Sequence, residues 1–305
     1  MKITANTPIK TGDKLGYAMF LLWNSKDGIN PGNISFVLHQ GSIPFHEKLI
    51  AESANKTSSA SLPDDPDVIS AVNHEISEDN GDKSLTISCK IIKESLFRKE
   101  IECEKSCRII EHGEMLNYIS ANSAKRIYPV PNAMGLALSV ITSDDKIIFI
   151  RRNEKAGVRP GEYDCSFVEK LSPAVSEQIG EDLVTYDITS PDYIQKECER
   201  AFRENICDDT NIYIHIMGLI LDRDFGHWNL GGYIRTELTS DEIKSRVNSR
   251  EDLTDRKLFF IPLHDDHGKI NRSVVENVME YYRYKSGFWD TAAGVTMGTL
   301  DALQG

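Results

Sequence analysis

The sequence predicts an α+β protein in three parts: a β-rich N-terminal module (1–125), a mixed α/β domain (126–270) and a helical C-terminal extension (271–305). Three patterns predict this class. Apolar and polar side chains alternate in residues 84–93, two apolar runs flank a tight turn near residue 144, and apolar residues recur at helical spacing after residue 190. A chain of 305 residues is also long enough to bury a large core.

Short apolar segments separated by turn residues characterise the N-terminal module. Residues 16–23 and 34–38 are such segments, and the dipeptides Asp27-Gly28 and Pro31-Gly32 favour turns between them. Residues 55–67 are rich in Ser, Pro and Asp and predict an exposed loop. No motif in this module indicates its role.

A pair of prolines around residue 130 marks the start of the middle domain, because proline favours extended backbone over helix. Residues 135–141 and 147–150 form two apolar runs joined by a short polar turn, so we expect a β-hairpin. Arg151 and Arg152 end the second strand, and a loop containing Gly and Pro follows.

The clearest helix is expected to begin at Ser190, whose hydroxyl suits an N-cap. Pro191 fits the first helical position, and Asp192 suits the positive end of the helix dipole. Apolar residues then share one helical face: Ile194, Cys198, Ala201 and Phe202.

The same patterns predict the remaining elements. Thr239 and Glu242 form a capping box that predicts a short helix. Strands are expected at residues 212–221, 228–238 and 258–263, and helices at residues 240–247, 273–286 and 288–303.

Charge and motif content exclude several function classes. The formal net charge is -12 and the pI is about 5.2, so we do not expect general binding to nucleic acid, whose phosphates this charge repels. Residues 1–15 contain no apolar segment typical of a signal peptide, and the apolar run at residues 17–23 is too short to span a membrane. We therefore expect a cytoplasmic protein with no membrane partner. The sequence contains no P-loop, no G-x-S-x-G elbow and no H-E-x-x-H motif.

The order of elements in residues 128–263 resembles the Nudix superfamily, whose pattern is G-x5-E-x7-R-E-U-x-E-E-x-G-U, with U apolar. Arg200 matches the arginine of this pattern, Phe202 its apolar position and Glu204 the first glutamate of the pair. Three positions depart from it: Ala201, Asn205 and Cys207 replace a glutamate, a glutamate and a glycine. About 24 residues before Ile194 also replace a short link.

This resemblance implies an α/β/α sandwich with a mixed sheet and a Mg²⁺- or Mn²⁺-dependent hydrolysis of nucleoside diphosphate derivatives. We call the part of this chain that matches the pattern the box. Mg²⁺ requires several oxygen ligands in octahedral geometry, whereas the box keeps one charged ligand, Glu204. The other candidate metal ligands lie outside the box: Glu169, Glu181 and Glu197. Glu197 begins about 10 Å from Glu204 along the helix axis, which is too far for both to bind one ion easily. The candidate phosphate-binding residues are Arg151, Arg152 and Arg159.

Three functional hypotheses remain open. The first is a Nudix-like protein that binds a nucleotide or nucleoside-diphosphate-type ligand in a sensor or regulatory role, with hydrolysis weak or absent. The second is a divergent Mg²⁺- or Mn²⁺-dependent pyrophosphohydrolase in which Glu204 is the main metal ligand. The third is an interaction scaffold that uses its aromatic C-terminal helices to bind a protein partner or a second copy of the chain. The spacing of Glu197, Arg200 and Glu204 is also typical of an exposed ion-pair ladder on a helix.

Overall fold

The computed structural model describes residues 7–9, 19–40, 66–95, 132–154, 159–179, 182–208, 211–222, 227–249 and 257–304. Within these ranges the chain is an α+β protein. Its strands are β1 (Thr7–Ile9), β2 (Met19–Ile29), β3 (Ile34–Leu38), β4 (Asp67–Asp79), β5 (Asp82–Lys93), β6 (Ala133–Ile141), β7 (Lys146–Arg151), β8 (Tyr163–Asp164), β9 (Phe167–Lys170), β10 (Ala174–Ile179), β11 (Asp182–Asp187), β12 (Ile212–Asp222), β13 (His227–Thr236) and β14 (Lys257–Pro262). Its α-helices are α1 (Tyr193–Asn205), α2 (Ser240–Asn248), α3 (Arg272–Ser286) and α4 (Asp290–Gln304).

A mixed nine-stranded sheet forms the centre of the fold. Its main path runs β1-β2-β12-β13-β6-β7-β14, while β9 pairs with β6 and β8 pairs with β7. The pairing of β13 with β6 is parallel, and the other pairings in this sheet are antiparallel. Strands β3, β5 and β4 form a second sheet, and β10 with β11 forms a separate hairpin.

One face of the large sheet packs against α1, α2 and the three-stranded sheet. Leu136 of β6 and Leu230 of β13 are fully buried there beside Phe202 of α1. The ring of Phe36 on β3 meets Tyr193 of α1 edge to face, with centroids 5.6 Å apart. Residues before and after position 125 therefore contribute to the same core. Strand β2, before this position, also pairs with β12, after it. The division of the chain near residue 125 stays a prediction.

The opposite face of the large sheet packs against α3 and α4. Side chains alternate across a strand, so Phe149 of β7 and Ala137 of β6 point to this side. They pack with Trp289 and Leu300 of the α4 region. The sheet thus has helices on both of its faces. In the described part of the chain, no helix is long and apolar enough to cross a membrane.

Asn132 links the two sheets through a buried side chain. Its Oδ1 accepts from the backbone N–H of Ala71, and its Nδ2 donates to the carbonyl of the same residue, both at 2.8 Å. We expect Asn132→Ala to lower the free energy of unfolding by about 1–3 kcal/mol for each buried group left without this partner. Urea unfolding measures this loss. Ser35→Ala, which removes an exposed hydroxyl contact to Thr86, is the control and should change stability by less than about 0.5 kcal/mol. An equal effect of both variants would contradict this role.

Local sequence patterns predict several elements correctly. The hairpin of β6 and β7 is confirmed, as are β12, β14 and the capping box of Thr239 and Glu242 at the start of α2. The C-terminal helices are confirmed within two residues at each end. Of the loop predicted at residues 55–67, residues 55–65 lie outside the described residues, as does the proline boundary near residue 130, and Asp67 is the first residue of β4.

Three predictions are wrong in detail. The first long helix begins at Tyr193, and Ser190 does not cap it, because the Ser190 hydroxyl instead bonds Asp187 in the preceding turn. Gly28 does not end a strand, since its positive φ of 71° lies within β2, where the ring of His215 leaves no room for a side chain. Strand β13 ends at Thr236, two residues before the predicted end at residue 238.

Candidate functional site

Helix α1 presents a buried carboxylate beside the end of β9. Glu197 is fully buried, and its Oε1 accepts a hydrogen bond of 2.6 Å from the backbone N–H of Ser172. The hydroxyl of Tyr193, one turn earlier, donates to the carbonyl of Ser172. These contacts explain why Glu197 is buried, whereas its spacing alone suggested an exposed ladder. They hold the first turn of α1 against the chain that follows β9.

Arg200 pairs with two carboxylates of α1. Its Nε donates to Glu197 Oε2 at 2.7 Å, and its Nη1 donates to Glu204 Oε2. Burial raises the pKa of Glu197, and the charge of Arg200 opposes this shift. Burial alone would lower the pKa of Arg200, but Glu197 and Glu204 outweigh it and, with Glu169, raise that pKa. Arg200 is therefore the cation that these three glutamates share.

The remaining positions of the box offer little to a metal ion. Asn205 is buried, and its Nδ2 donates to the carbonyl of Ala201 at 2.8 Å, so its amide is turned back onto its own helix. Cys207 is fully buried. The side chain of Glu204 is 54% exposed. Glu181 lies outside the described residues. Among the residues that the structure does describe, no group of three His, Cys, Asp or Glu residues is arranged to hold a metal ion.

The three predicted phosphate-binding arginines lie in different surroundings. Arg151 donates from Nε to the carbonyl of Gly161 at 3.1 Å and pairs with Glu154 at 2.6 Å. Arg159 pairs with Glu162 at 3.3 Å. The contacts of Arg151 and Arg159 therefore stabilise the loop that follows β7.

Arg152 differs from these two because it lines a pocket. Its Nη1 lies 2.8 Å from the fully buried carboxylate of Asp164, and its guanidinium carbon lies 5.1 Å from the ring centre of Trp289. Burial raises the pKa of Asp164, while Arg152 acts in the opposite direction. The arginine is thus fixed by an ion pair on one side and an aromatic ring on the other.

The pocket has a volume of about 190 Å³ and lies where β6 and β13 begin and β9 ends. Its walls combine apolar, charged and amide side chains: Ala133, Met134, Gly135, Arg152, Val168, Glu169, Lys170, His227, Asn229 and Trp289. His227 and Asn229 alternate along β13 with Trp228 and Leu230, which belong to the core on the α1 face. The pocket therefore opens on the α3 and α4 face of the sheet.

Asn229 brings a buried amide to the pocket. Its side chain is 1% exposed, and its Nδ2 has no hydrogen-bond partner within the described ranges. Gly135 stands beside it in the parallel pairing of β13 with β6. A Cβ at position 135 would lie 2.7 Å from Asn229 Oδ1 and 2.5 Å from the carbonyl oxygen of Glu169. Glycine is therefore needed here, because a side chain would clash with Asn229 and with the backbone of β9.

Positive charges dominate the surroundings of His227 at the pocket wall. Lys170 pairs with the nearly buried Glu94 at 2.7 Å. Burial lowers the pKa of His227 to about 4, and Lys170 and Arg152 lower it further than Glu94 raises it. The imidazole is therefore neutral at neutral pH.

Among the polar residues that line this pocket, sequence reasoning identifies Arg152 and Glu169 as candidates and misses Lys170, His227 and Asn229. Lys170 ends β9, whereas His227 and Asn229 lie on β13, and the pairing of both strands with β6 brings them together. The nearest signal in the sequence was the alternation of polar and apolar residues at the start of β13. That pattern does not specify which strand lies beside it.

Comparisons of the sequence with protein-family models and with curated proteins find no match. The resemblance to the Nudix superfamily therefore stays a prediction from the sequence.

We expect protonation of His227 to destabilise the protein below neutral pH. Its pKa in the folded chain, about 4, lies below the ordinary value of 6.5, so the unfolded chain takes up the proton first as the pH falls. Stability should fall between pH 6.5 and pH 4 by about 3 kcal/mol in total, at about 1.4 kcal/mol for each pKa unit. Urea unfolding at a series of pH values measures this slope, and His227→Gln should flatten it. An unchanged slope in the variant would assign the pH dependence to other groups.

Proposed function

We propose that this protein is a Nudix-like binding protein. It binds a nucleotide or a nucleoside-diphosphate-type ligand in a sensor or regulatory role, and its hydrolysis of that ligand is weak or absent. The observation that carries this proposal is the pairing of Arg200 with both Glu197 and Glu204, which uses the carboxylates of the box for a structural purpose.

The arrangement of elements supports the Nudix-like part of the proposal. Strands β6 and β7 form a hairpin, the short strands β8 to β11 follow, and α1 comes next, while the mixed sheet has helices on both faces. This layering is what an α/β/α sandwich requires. Since one fold serves many functions, the role is argued from the side chains of α1 and of the pocket.

The chemistry of α1 argues against efficient hydrolysis. Metal-assisted attack of water on a diphosphate requires Mg²⁺ or Mn²⁺ held by several oxygen ligands. To bind that ion, Glu197 and Glu204 would have to lose their ion pairs with Arg200. Glu197 would also lose its hydrogen bond from Ser172. Breaking a buried ion pair in this way costs several kcal/mol. Neither Mg²⁺ nor Mn²⁺ is therefore needed for the proposed function.

The pocket supports the binding part of the proposal. Arg152 and Lys170 supply positive charge, Asn229 supplies an amide, and Trp289 supplies an apolar wall. A concave site with apolar walls and a few converging polar groups is the usual form of a small-molecule site. The volume of about 190 Å³ suits one group of a nucleotide rather than the whole molecule.

Thermal unfolding of the full chain with a panel of nucleoside diphosphates and their derivatives tests this proposal. A ligand at a hundred times its Kd adds about 2.7 kcal/mol, which corresponds to a rise of several degrees in Tm. We expect the same rise with Glu204→Gln and with EDTA present. No rise across the panel would contradict the proposal. If light scattering then showed a mass that grew with concentration, the interaction scaffold would be favoured.

A further inference from the structure

We infer that the pocket on the α3 and α4 face binds the oxyanion group of the ligand, a phosphoryl or carboxylate group, without a metal ion. Asn229, Arg152 and Lys170 are the residues that recognise this group. This inference deepens the proposed function and rests on it, because the proposed function supplies the identity of the remaining part of the ligand. The anionic end of the ligand is assigned to this pocket and not to the carboxylates of α1.

The sheet separates the pocket from the acidic cluster of α1. On β9, Glu169 pairs with Leu136, whose side chain lies in the core on the α1 face. The next residue, Lys170, pairs with Gly135 and points to the opposite face. Glu169 meets the Gly135 side of the pocket through its backbone carbonyl. A metal ion beside Glu204 would therefore lie across the sheet from an anion in the pocket.

The amide of Asn229 requires an acceptor. It is 1% exposed, and its Nδ2 is left without a hydrogen-bond partner in the part of the chain that the structure describes. Buried donors are almost always satisfied by protein, by water or by a ligand. Because Asn229 lines the pocket, an oxygen atom of a ligand bound there would be the acceptor that this donor lacks.

Two cationic side chains on the pocket wall favour an anionic group at this position. Arg152 is held in place by Asp164 and by the ring of Trp289, and Lys170 is held by Glu94. At His227, which also lines the pocket, the influence of the two cations exceeds that of Glu94. Arginine and lysine are the usual partners of phosphate and carboxylate groups, and the small volume favours a compact group.

Isothermal titration calorimetry of the full chain tests the assignment, with inorganic pyrophosphate for the phosphoryl group and succinate for the carboxylate. The stronger of the two titrations identifies the class of oxyanion. We expect the Kd in EDTA to match that in MgCl2 within about twofold. Asn229→Asp, which replaces the donor by a negative charge of nearly the same shape, should weaken binding by at least about tenfold. Asn248→Asp, at an exposed position in α2, is the matched control and should leave the Kd unchanged.

Several outcomes would overturn the assignment. These are no binding of either probe, binding that requires Mg²⁺ and is lost in Glu204→Gln, or an unchanged Kd in a folded Asn229→Asp variant. If circular dichroism shows that this variant is unfolded, the comparison of EDTA with MgCl2 in the wild-type chain decides.

The same experiments separate this inference from the proposed function. Nucleotides that raise the Tm while both probes fail to bind would overturn the inference and leave the function standing. Probe binding that depends on Asn229, with no nucleotide raising the Tm, would support the inference and overturn the function.

Discussion

Replacing Arg200 by alanine is expected to lower the free energy of unfolding by about 3–5 kcal/mol, because it leaves the carboxylate of Glu197 buried without its cation. Glu197 is fully buried, and its other described contacts are the N–H of Ser172 and the hydroxyl of Tyr193. A buried charge that loses its partner costs far more than an exposed one. Urea unfolding measures the loss.

Two further variants show whether the unpaired charge of Glu197 causes the loss of stability. Arg203→Ala removes an arginine whose side chain is 48% exposed and lies 3.6 Å from Asp208, so it should cost less than about 1 kcal/mol. The double variant Arg200→Ala with Glu197→Gln removes the unpaired buried charge of Glu197, so it should recover part of the lost stability. The effects of the two substitutions on the free energy of unfolding should therefore be non-additive. If Arg200→Ala lowered the free energy of unfolding as little as Arg203→Ala, this would contradict a structural role for the α1 carboxylates.

Trp289→Ala should be comparably destabilising, with a loss of about 3–5 kcal/mol. Trp289 is 2% exposed at the start of α4 and packs against the α3 and α4 face of the sheet. Its ring also supports Arg152, at 5.1 Å, and lies 6.3 Å from the ring of His227. The substitution therefore opens a cavity in the core and removes one wall of the pocket.

Tyr284→Ala is the matched control for this change, since Tyr284 is 89% exposed and its loss should be nearly neutral. Trp289→Phe keeps an aromatic ring and should cost less than half as much as the alanine variant. Thermal unfolding of the three variants gives the order. A Tm for Trp289→Ala no lower than that of Tyr284→Ala would show that this residue does not anchor α4.

The parts of the fold that depend on local patterns could be predicted from the sequence. The apolar runs of β6 and β7 specify a hairpin, and Thr239 with Glu242 specifies the start of α2. The hairpin of β10 and β11 was not predicted. Its strands are largely exposed, with Leu183 69% exposed, so they lack the alternation of a half-buried strand.

The candidate site was harder to predict because its residues meet through tertiary contacts. The spacing of Glu197, Arg200 and Glu204 correctly predicted the ion pairs. It did not predict that Glu197 is buried, because that follows from its contact with Ser172, 25 residues earlier in the chain. Asn229 reaches the pocket because β13 pairs in parallel with β6, and no local pattern specifies such a pairing.

Release of phosphate or pyrophosphate from a panel of nucleoside diphosphate compounds tests the central claim most directly. The assay compares the wild-type chain with Glu204→Gln in Mg²⁺ and in Mn²⁺. Because Glu197 and Glu204 are both paired with Arg200, we expect no metal-dependent release above background from either protein. Metal-dependent release by the wild type that disappears in Glu204→Gln would contradict this account and would identify a divergent pyrophosphohydrolase with Glu204 as its main metal ligand.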